Sequence, residues 1–197
     1  MEYRDILLTS EDNIKTYSSI NDNVSGDYLL TAIAIAQRTG LEGIIGTALV
    51  NKIQELIGTD NIDKTEYKHY KTLLDEYISD YLIYQSIVEL IPIVSFKINN
   101  VGASRTEDEK NSMVTFDEVF KLKDYYEDKA DYFAYRMQRY LVDEYNNYPE
   151  LNDTTIANIK ANLNSAAGCS IWLGGYRGKK QLIYDTNRDS KRIYEHS

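Results

Sequence analysis

The sequence is poor in the residues that most often build catalytic and metal sites. It contains one cysteine and two histidines among 197 residues, so an internal disulfide is impossible and metal ligands of these types are scarce. It also contains only two prolines, which permits long helices over most of the chain. No apolar run reaches the roughly 18 residues of a membrane span, and the first residues do not resemble a signal peptide. We therefore expect a protein that is made and kept in a cytoplasm, without a membrane segment.

The charge is acidic overall but unevenly distributed. The formal net charge is −9 at pH 7, which argues against general nucleic-acid binding, because affinity for phosphates comes from clustered lysine and arginine. Residues 176–197 hold six basic and three acidic side chains, a sum of +3, so the 175 residues before them carry −12. A basic end on an acidic body is expected where the end lies on the acidic surface of a neighbour. A solvated end is the simpler interpretation.

Apolar residues recur at helical spacing along most of the chain. One stripe predicts a long helix that ends near Pro92, and it consists of Tyr70, Leu74, Tyr77, Tyr81, Tyr84, Val88 and Ile91. A second stripe predicts a partner helix from a cap at Asp117 to about Tyr145, with Val119, Leu122, Tyr126, Ala130, Phe133, Met137 and Tyr140 on its inner side. Shorter helices are predicted over residues 10–18, 25–37, 41–58 and 153–163.

Between the two long helices the pattern changes to β-branched and aromatic residues. Residues 93–98 and 113–116 are typical of strands, residues 99–102 of a turn, and residues 105–111 form a polar excursion. We interpret 93–116 as a β-hairpin, or a pair of short strands, with a long exposed loop. Because an isolated hairpin is only marginally stable in water, we expect it to need a partner surface from a second subunit.

Two glycine-rich stretches superficially resemble phosphate-binding loops. Gly40, Gly43 and Gly46 follow no predicted strand and precede no Lys-Ser/Thr pair. In the second stretch, Leu173 occupies the place of the first glycine and Lys180 that of the magnesium-binding Ser or Thr. We therefore predict a helix junction with closely approaching backbones at the first stretch, and a basic tail at the second.

No constellation of catalytic or metal-binding residues emerges. His69 lies on a predicted exposed helix face with no second ligand one turn away. Cys169 is flanked by small residues without a signature, although spacing alone leaves a Cys-His pair open. Paired acids such as Asp75 and Glu76 lie on predicted polar faces. The sequence thus predicts no catalytic, cofactor-binding or metal site, and no enzymatic activity.

Together these elements predict a mainly α protein. A helical bundle of about five to six helices is expected over residues 1–166, with an inserted β-hairpin at about 93–116, followed by an extended C-terminal arm over 167–197. Ile171–Leu173 has no helix of its own to pack on, so we expect it to be buried either on another chain or on its own bundle. The candidate interface residues are Ile93, Phe96, Ile98, Val101, Met113, Ile171, Trp172, Leu173, Tyr176, Arg177, Ile183 and Tyr184.

Several segments carry a resemblance to a known family. The residues Leu8–Ile14 and the stretch Thr39–Gly46, in this order around an apolar helix, resemble head–tail connector (adaptor) proteins of long- and short-tailed phages. Ile91–Ile93, Val101–Val114 and Tyr125–Leu141 are similar to the longer version found in phages of gut Bacteroidetes, including crAss-like phages. The resemblance covers residues 5–150.

This resemblance implies a structural virion protein. Family members assemble as a ring, expected to be a dodecamer, that docks on the portal at the head–tail junction and receives the next tail ring. DNA passes through the lumen during genome ejection without sequence-specific binding, and an acidic lumen would repel its phosphates. Before assembly the protein would reside in the host cytoplasm. Two alternatives stay open: another phage protein, such as a tail-completion or internal cargo protein, and a small hydrolase or nucleic-acid enzyme with an unrecognised site.

Overall fold

In a computed structural model of the chain, the described residues are 3, 5–18, 20, 24–99, 102–105 and 115–163, with the backbone alone for 96–99 and 102–105. The chain is mainly helical. Its α-helices are α1 (Glu11–Tyr17), α2 (Gly26–Ile35), α3 (Glu42–Ile45), α4 (Thr47–Gly58), α5 (Lys68–Leu73), α6 (Ser79–Ser95) and α7 (Phe116–Asp143). The π-helical segments Ala36–Leu41 and Leu74–Ile78 join α2 to α3 and α5 to α6, which leaves five helical rods in the described ranges.

Side-chain caps fix where the first and last helices begin. The Ser10 Oγ accepts a hydrogen bond from the Asn13 amide at 3.2 Å at the start of α1. Thr115 forms a capping box with Glu118 at the start of α7. The predicted cap at Asp117 was therefore wrong by two residues, because the Thr115–Glu118 pair satisfies two free amides together and extends the helix backwards.

Helices α6 and α7 pack antiparallel, as the two sequence stripes predicted. The rings of Tyr77 and Tyr140 stack at 4.1 Å between centroids. Tyr84 and Phe133 stack at 5.1 Å. Tyr77 lies in the π-helical segment that leads into α6, so later positions along this rod contact earlier positions along α7. Leu122 departs from the prediction: its side chain is 49% exposed, because it lies at the margin of the buried face of α7.

The buried residues form two clusters that share α6. The first joins α4, α5, α6 and α7 through residues that include Leu49, Ile53, Leu73, Leu82 and Met137. The second joins α1 and α2 to α6 through residues that include Ile14, Leu29, Ile33, Ile87 and Leu90. Helix α6 is thus covered on several sides, which explains its nearly continuous apolar sequence. In the part of the chain that the structure describes, no helix has the length and apolarity to cross a membrane.

The segment that links α6 to α7 differs from the prediction at both ends. Helix α6 continues through Pro92 to Ser95. The proline costs one helical hydrogen bond, and the packing of Ile93 against the second cluster offsets this loss in the last turn. At the other end, Phe116 is already helical. Between them, β1 (Phe96–Asn99) pairs antiparallel with β2 (Gly102–Arg105). These positions differ from the predicted strands at 93–98 and 113–116, and residues 106–114 lie outside the described residues.

Residues 153–163 are not the helix that the sequence predicted. The Asp153 carboxylate accepts hydrogen bonds from the Thr155 amide at 3.1 Å, from the Thr155 hydroxyl at 2.7 Å and from the Asn158 side chain at 2.6 Å. These local bonds hold a turn and compete with helix formation. They also lower the pKa of Asp153 to about 2, the bonds from Asn158 and Thr155 being the main causes.

After this turn the chain crosses the junction between α3 and α4. The Thr47 amide donates to the Ile159 carbonyl at 3.0 Å, and the Asn162 amide donates to the Ile44 carbonyl at 2.9 Å. A Cβ on Gly46 would lie 2.9 Å from the Ala161 nitrogen. The close backbone approach that the sequence predicted around Gly46 is therefore confirmed, and its partner is the segment after α7. The predicted boundary at residues 166 and 167, and the arm beyond it, lie outside the described residues.

Candidate interaction surfaces

The candidate interface residues of the hairpin and arm fall mostly outside the described residues. Ile93 is described, and it lies half-buried on α6 against the second core cluster, so its place in a strand was wrong. Phe96 and Ile98 lie in β1, for which the structure describes the backbone alone. The others lie in ranges that the structure does not describe, namely Val101, Met113, Ile171, Trp172, Leu173, Tyr176, Arg177, Ile183 and Tyr184.

The described residues hold no group of three or more His, Cys, Asp or Glu side chains placed to bind a metal ion. His69 was expected on an exposed face. Its ring instead lies half-buried, 4.2 Å from the Tyr70 ring and 5.4 Å from the Tyr148 ring. Aromatic packing therefore accounts for this histidine. Cys169 and His196 lie outside the described ranges.

A buried tyrosine network anchors the chain after α7 onto α5. Tyr148 is fully buried. Its hydroxyl donates to the His69 carbonyl at 2.8 Å and lies 3.1 Å from the Tyr140 hydroxyl. The Tyr70 hydroxyl donates to the Glu150 carboxylate, 2.9 and 3.0 Å from its two oxygens.

Burial governs the titration of this network. Desolvation raises the pKa of Tyr148 far above its usual value, and the neighbouring Tyr140 hydroxyl raises it further. Desolvation also raises the pKa of Tyr70, followed by its hydrogen bond to Glu150. Both phenols therefore stay protonated at neutral pH. The network tethers the segment after α7 to α5.

Aromatic and basic side chains alternate along the solvent side of α7. Five residues, here called the α7 stripe, repeat at intervals of four and three: Tyr125, Lys129, Tyr132, Arg136 and Arg139. Each comes one position before an inward-facing residue of α7, in the same rhythm: Tyr126, Ala130, Phe133, Met137 and Tyr140. The sequence analysis could have found the α7 stripe, because each of its members lies one residue before a member of the inner series.

The side chains of the α7 stripe combine exposure with partial ordering. Tyr132 is 63% exposed. The Lys129 ammonium lies 4.7 Å from the centre of the Tyr125 ring, a cation–π distance. Arg136 donates to the Asp80 carboxylate at 2.9 Å and to the Glu76 carbonyl at 3.1 Å. Such a surface can bury aromatic rings against a partner while its cations meet acidic groups.

A groove of about 350 Å³ opens beside the C-terminal end of α7. Its lining comes from three separate segments, Val142 and Tyr145, Leu151, and Ala161 with Leu163. The Tyr145 hydroxyl donates to the Asn152 side chain at 2.6 Å, which fixes one wall. The Gln138 side-chain Nε2 donates to the Asn162 carbonyl at 2.8 Å, which fixes the other wall. Sequence reasoning missed this groove because it assigned residues 153–163 to a helix.

One comparison with known proteins matches the chain. The model of DUF6712, a family of unknown function, matches residues 41–160. The match spans both long helices, the tyrosine network and most of the segment that crosses the α3–α4 junction. No curated protein and no solved structure matches the chain.

Proposed function

Because this chain belongs to DUF6712, a family of unknown function, we propose its role from the resemblance of its sequence to connector proteins and from its own surfaces: a structural subunit of the ring that connects the head and tail of a tailed phage. The subunit works by docking and catalyses no reaction. One face of the ring binds the portal protein, the other receives the next tail ring, and DNA passes through the lumen. The ring is a dodecamer in the virion, and its subunits come from the host cytoplasm.

The α7 stripe is the observation that carries this proposal. It places three cations and two exposed tyrosines on the outside of a chain whose first 175 residues sum to −12. A ring with rotational symmetry joins two different surfaces of each subunit, repeated head to tail. The stripe provides an aromatic and basic surface, and the acidic body of the next subunit provides its complement.

The hairpin and arm extend the same contacts. We propose that the residues between Ser95 and Thr115 complete a hairpin beyond β1 and β2, and that Phe96, Ile98, Val101 and Met113 meet a neighbouring subunit. A two-stranded ladder is marginal alone, so a partner strand or surface would stabilise it. In the assembled ring the arm over 167–197 makes further contacts through Ile171, Trp172, Leu173, Tyr176, Arg177, Ile183 and Tyr184.

An acidic lumen supports the passage of DNA. The formal charge of −9 leaves few surfaces that would hold phosphates. Repulsion between carboxylates and the DNA backbone would let the genome slide through the ring during ejection.

The substitution Tyr132→Glu tests the contact. It places a carboxylate in the α7 stripe opposite an acidic neighbour, so we expect self-association to weaken at least tenfold, the scale of a lost hot spot of about 2 kcal/mol. The matched control is Tyr17→Glu, since Tyr17 on α1 is 67% exposed and Tyr132 is 63% exposed. Sedimentation velocity over a concentration series, with cross-linking to capture rings, provides the measurement. Equal association of both variants and the wild type would contradict the proposed contact.

A further inference from the structure

We propose that the groove beside α7 holds Ile171–Leu173 of the same chain when the subunit is free. Leu163 lines this groove and is also where the described chain ends. Ile171 follows eight residues later, a length that spans at most about 27 Å when extended. The apolar segment therefore lies within reach of a site whose wall is built by the residues just before it.

The side chains that line the groove can contact an apolar occupant, although backbone polar groups share the exposed lining. Val142, Leu151, Ala161 and Leu163 present aliphatic carbon, and Tyr145 adds a ring whose hydroxyl is already bonded to Asn152. The volume of about 350 Å³ lies within the range of about 300–1,000 Å³ for pockets that enclose small ligands. Burying an indole removes about 150–250 Å² of surface from water. The segment contains the one tryptophan of the chain, Trp172.

Charge favours the same occupant. Asp143 and Glu144 are exposed and lie between the groove residues Val142 and Tyr145 in sequence. The apolar segment is followed closely by three cations, Arg177, Lys179 and Lys180. An apolar anchor in the groove would bring these cations toward the acidic end of α7, and opposite charges at this range attract. A solvated tail would gain neither contribution.

The short connection between Leu163 and Ile171 favours docking of this segment in the groove of its own chain over docking in a second copy. Residues 164–170 are Asn, Ser, Ala, Ala, Gly, Cys and Ser, without proline or a β-branched side chain. Short tethers of this kind give effective concentrations on the order of millimolar. A second copy at micromolar concentration competes poorly with such a tether. Within a ring, a neighbouring surface is also close, so the segment can be exchanged for inter-subunit contacts there.

The docking keeps an apolar segment covered before assembly. Exposed apolar patches promote association, and a free subunit that shields Ile171–Leu173 would avoid premature aggregation. This property belongs to the isolated chain. It can fail while the connector role stands, and it can hold if that role fails.

The fluorescence of Trp172 tests the docking directly. Excitation at the red edge of the tryptophan band isolates this one residue from the 18 tyrosines. We expect blue-shifted emission and an acrylamide quenching constant several-fold below that of the urea-unfolded chain. Both values should be unchanged on dilution within the range in which sedimentation shows a monomer, because the contact lies within one chain.

A matched pair of variants links the signal to the groove. Val142→Glu places a charge in the groove at a side chain that is 46% exposed, so the fold should persist. Leu122→Glu makes the same kind of change on the same helix, away from the groove, at a side chain that is 49% exposed. We expect Val142→Glu to red-shift the emission and to raise quenching toward the unfolded value, and Leu122→Glu to match the wild type. Solvent-exposed Trp172 in the wild-type monomer, monomer emission that changes with dilution, or equal effects of both variants would overturn the proposal.

Discussion

Gly46 is the residue on which the C-terminal half of the groove depends. Its backbone has a φ of 85° and a ψ of 151°, a region that residues with a side chain rarely adopt. The chain after α7 approaches it so closely that a Cβ would meet the Ala161 nitrogen at 2.9 Å and the Ile159 carbonyl oxygen at 3.2 Å. The sequence predicted close approach at this junction, but the approaching segment lies more than a hundred residues away and no local pattern indicates it.

Replacing Gly46 with alanine should destabilise the fold by about 1–3 kcal/mol, since strain at this φ adds to the clash with Ala161. Gly43 provides the matched control, because a Cβ there meets nothing within 4 Å. Gly43→Ala lies inside α3 and should leave stability unchanged or raise it by up to about 1 kcal/mol. Urea unfolding followed by circular dichroism gives both values. Equal free energies of unfolding for the two variants would show that Gly46 tolerates a side chain.

The long helices could be predicted from sequence, whereas the segments between them could not. The inner stripes of α6 and α7 follow directly from the 3.6-residue period, and burial of Tyr126, Ala130 and Met137 agrees with them. Pro92 was a weaker stop than expected, because packing of the flanking isoleucines outweighs one lost hydrogen bond. Residues 153–163 failed as a helix because Asp153 organises a turn through its own side chain.

The tyrosine network makes the attachment of the post-α7 segment to α5 sensitive to alkaline pH. In the folded state burial raises the pKa of Tyr148 above its usual value of 10.0. The unfolded chain therefore releases this proton first as the pH rises above about 10, and the stability present below that pH declines. The slope amounts to about 1.4 kcal/mol per pH unit for each such tyrosine.

Tyr148→Phe should remove this contribution. At neutral pH the variant should lose about 1 kcal/mol, because the His69 carbonyl loses its donor. Above about pH 10 its free energy of unfolding should fall less steeply with pH than that of the wild type. Urea titrations at a series of pH values between neutral and strongly alkaline measure both effects. Parallel curves for the two proteins would mean that Tyr148 ionises alike in the folded and unfolded chains.

In the molecule as a whole, the many tyrosines are divided between the interior and the surface. Some of the 18 tyrosines fill the network between α5 and α7, and others stand on the outside of α7, where Tyr125, Tyr132 and Tyr135 are exposed. Composition predicted a protein rich in contacts, but it could not say which tyrosines are buried and which are exposed. Whether a tyrosine of α7 is buried or exposed depends on which of the two faces, one residue apart in sequence, it occupies. The buried face can be identified only when the packing of α6 against α7 is known.

The central claim is that this chain is a subunit of a connector ring and that α7 faces the next subunit. If the chain is a phage protein, as proposed, cryo-electron microscopy of purified particles of that phage, with side-chain detail at the head–tail junction, tests the claim. The account predicts a closed ring of copies between portal and tail, with Tyr125, Lys129 and Tyr132 buried against the acidic surface of the adjacent copy. A particle that lacks the chain, or a ring in which the α7 stripe faces solvent, would contradict it.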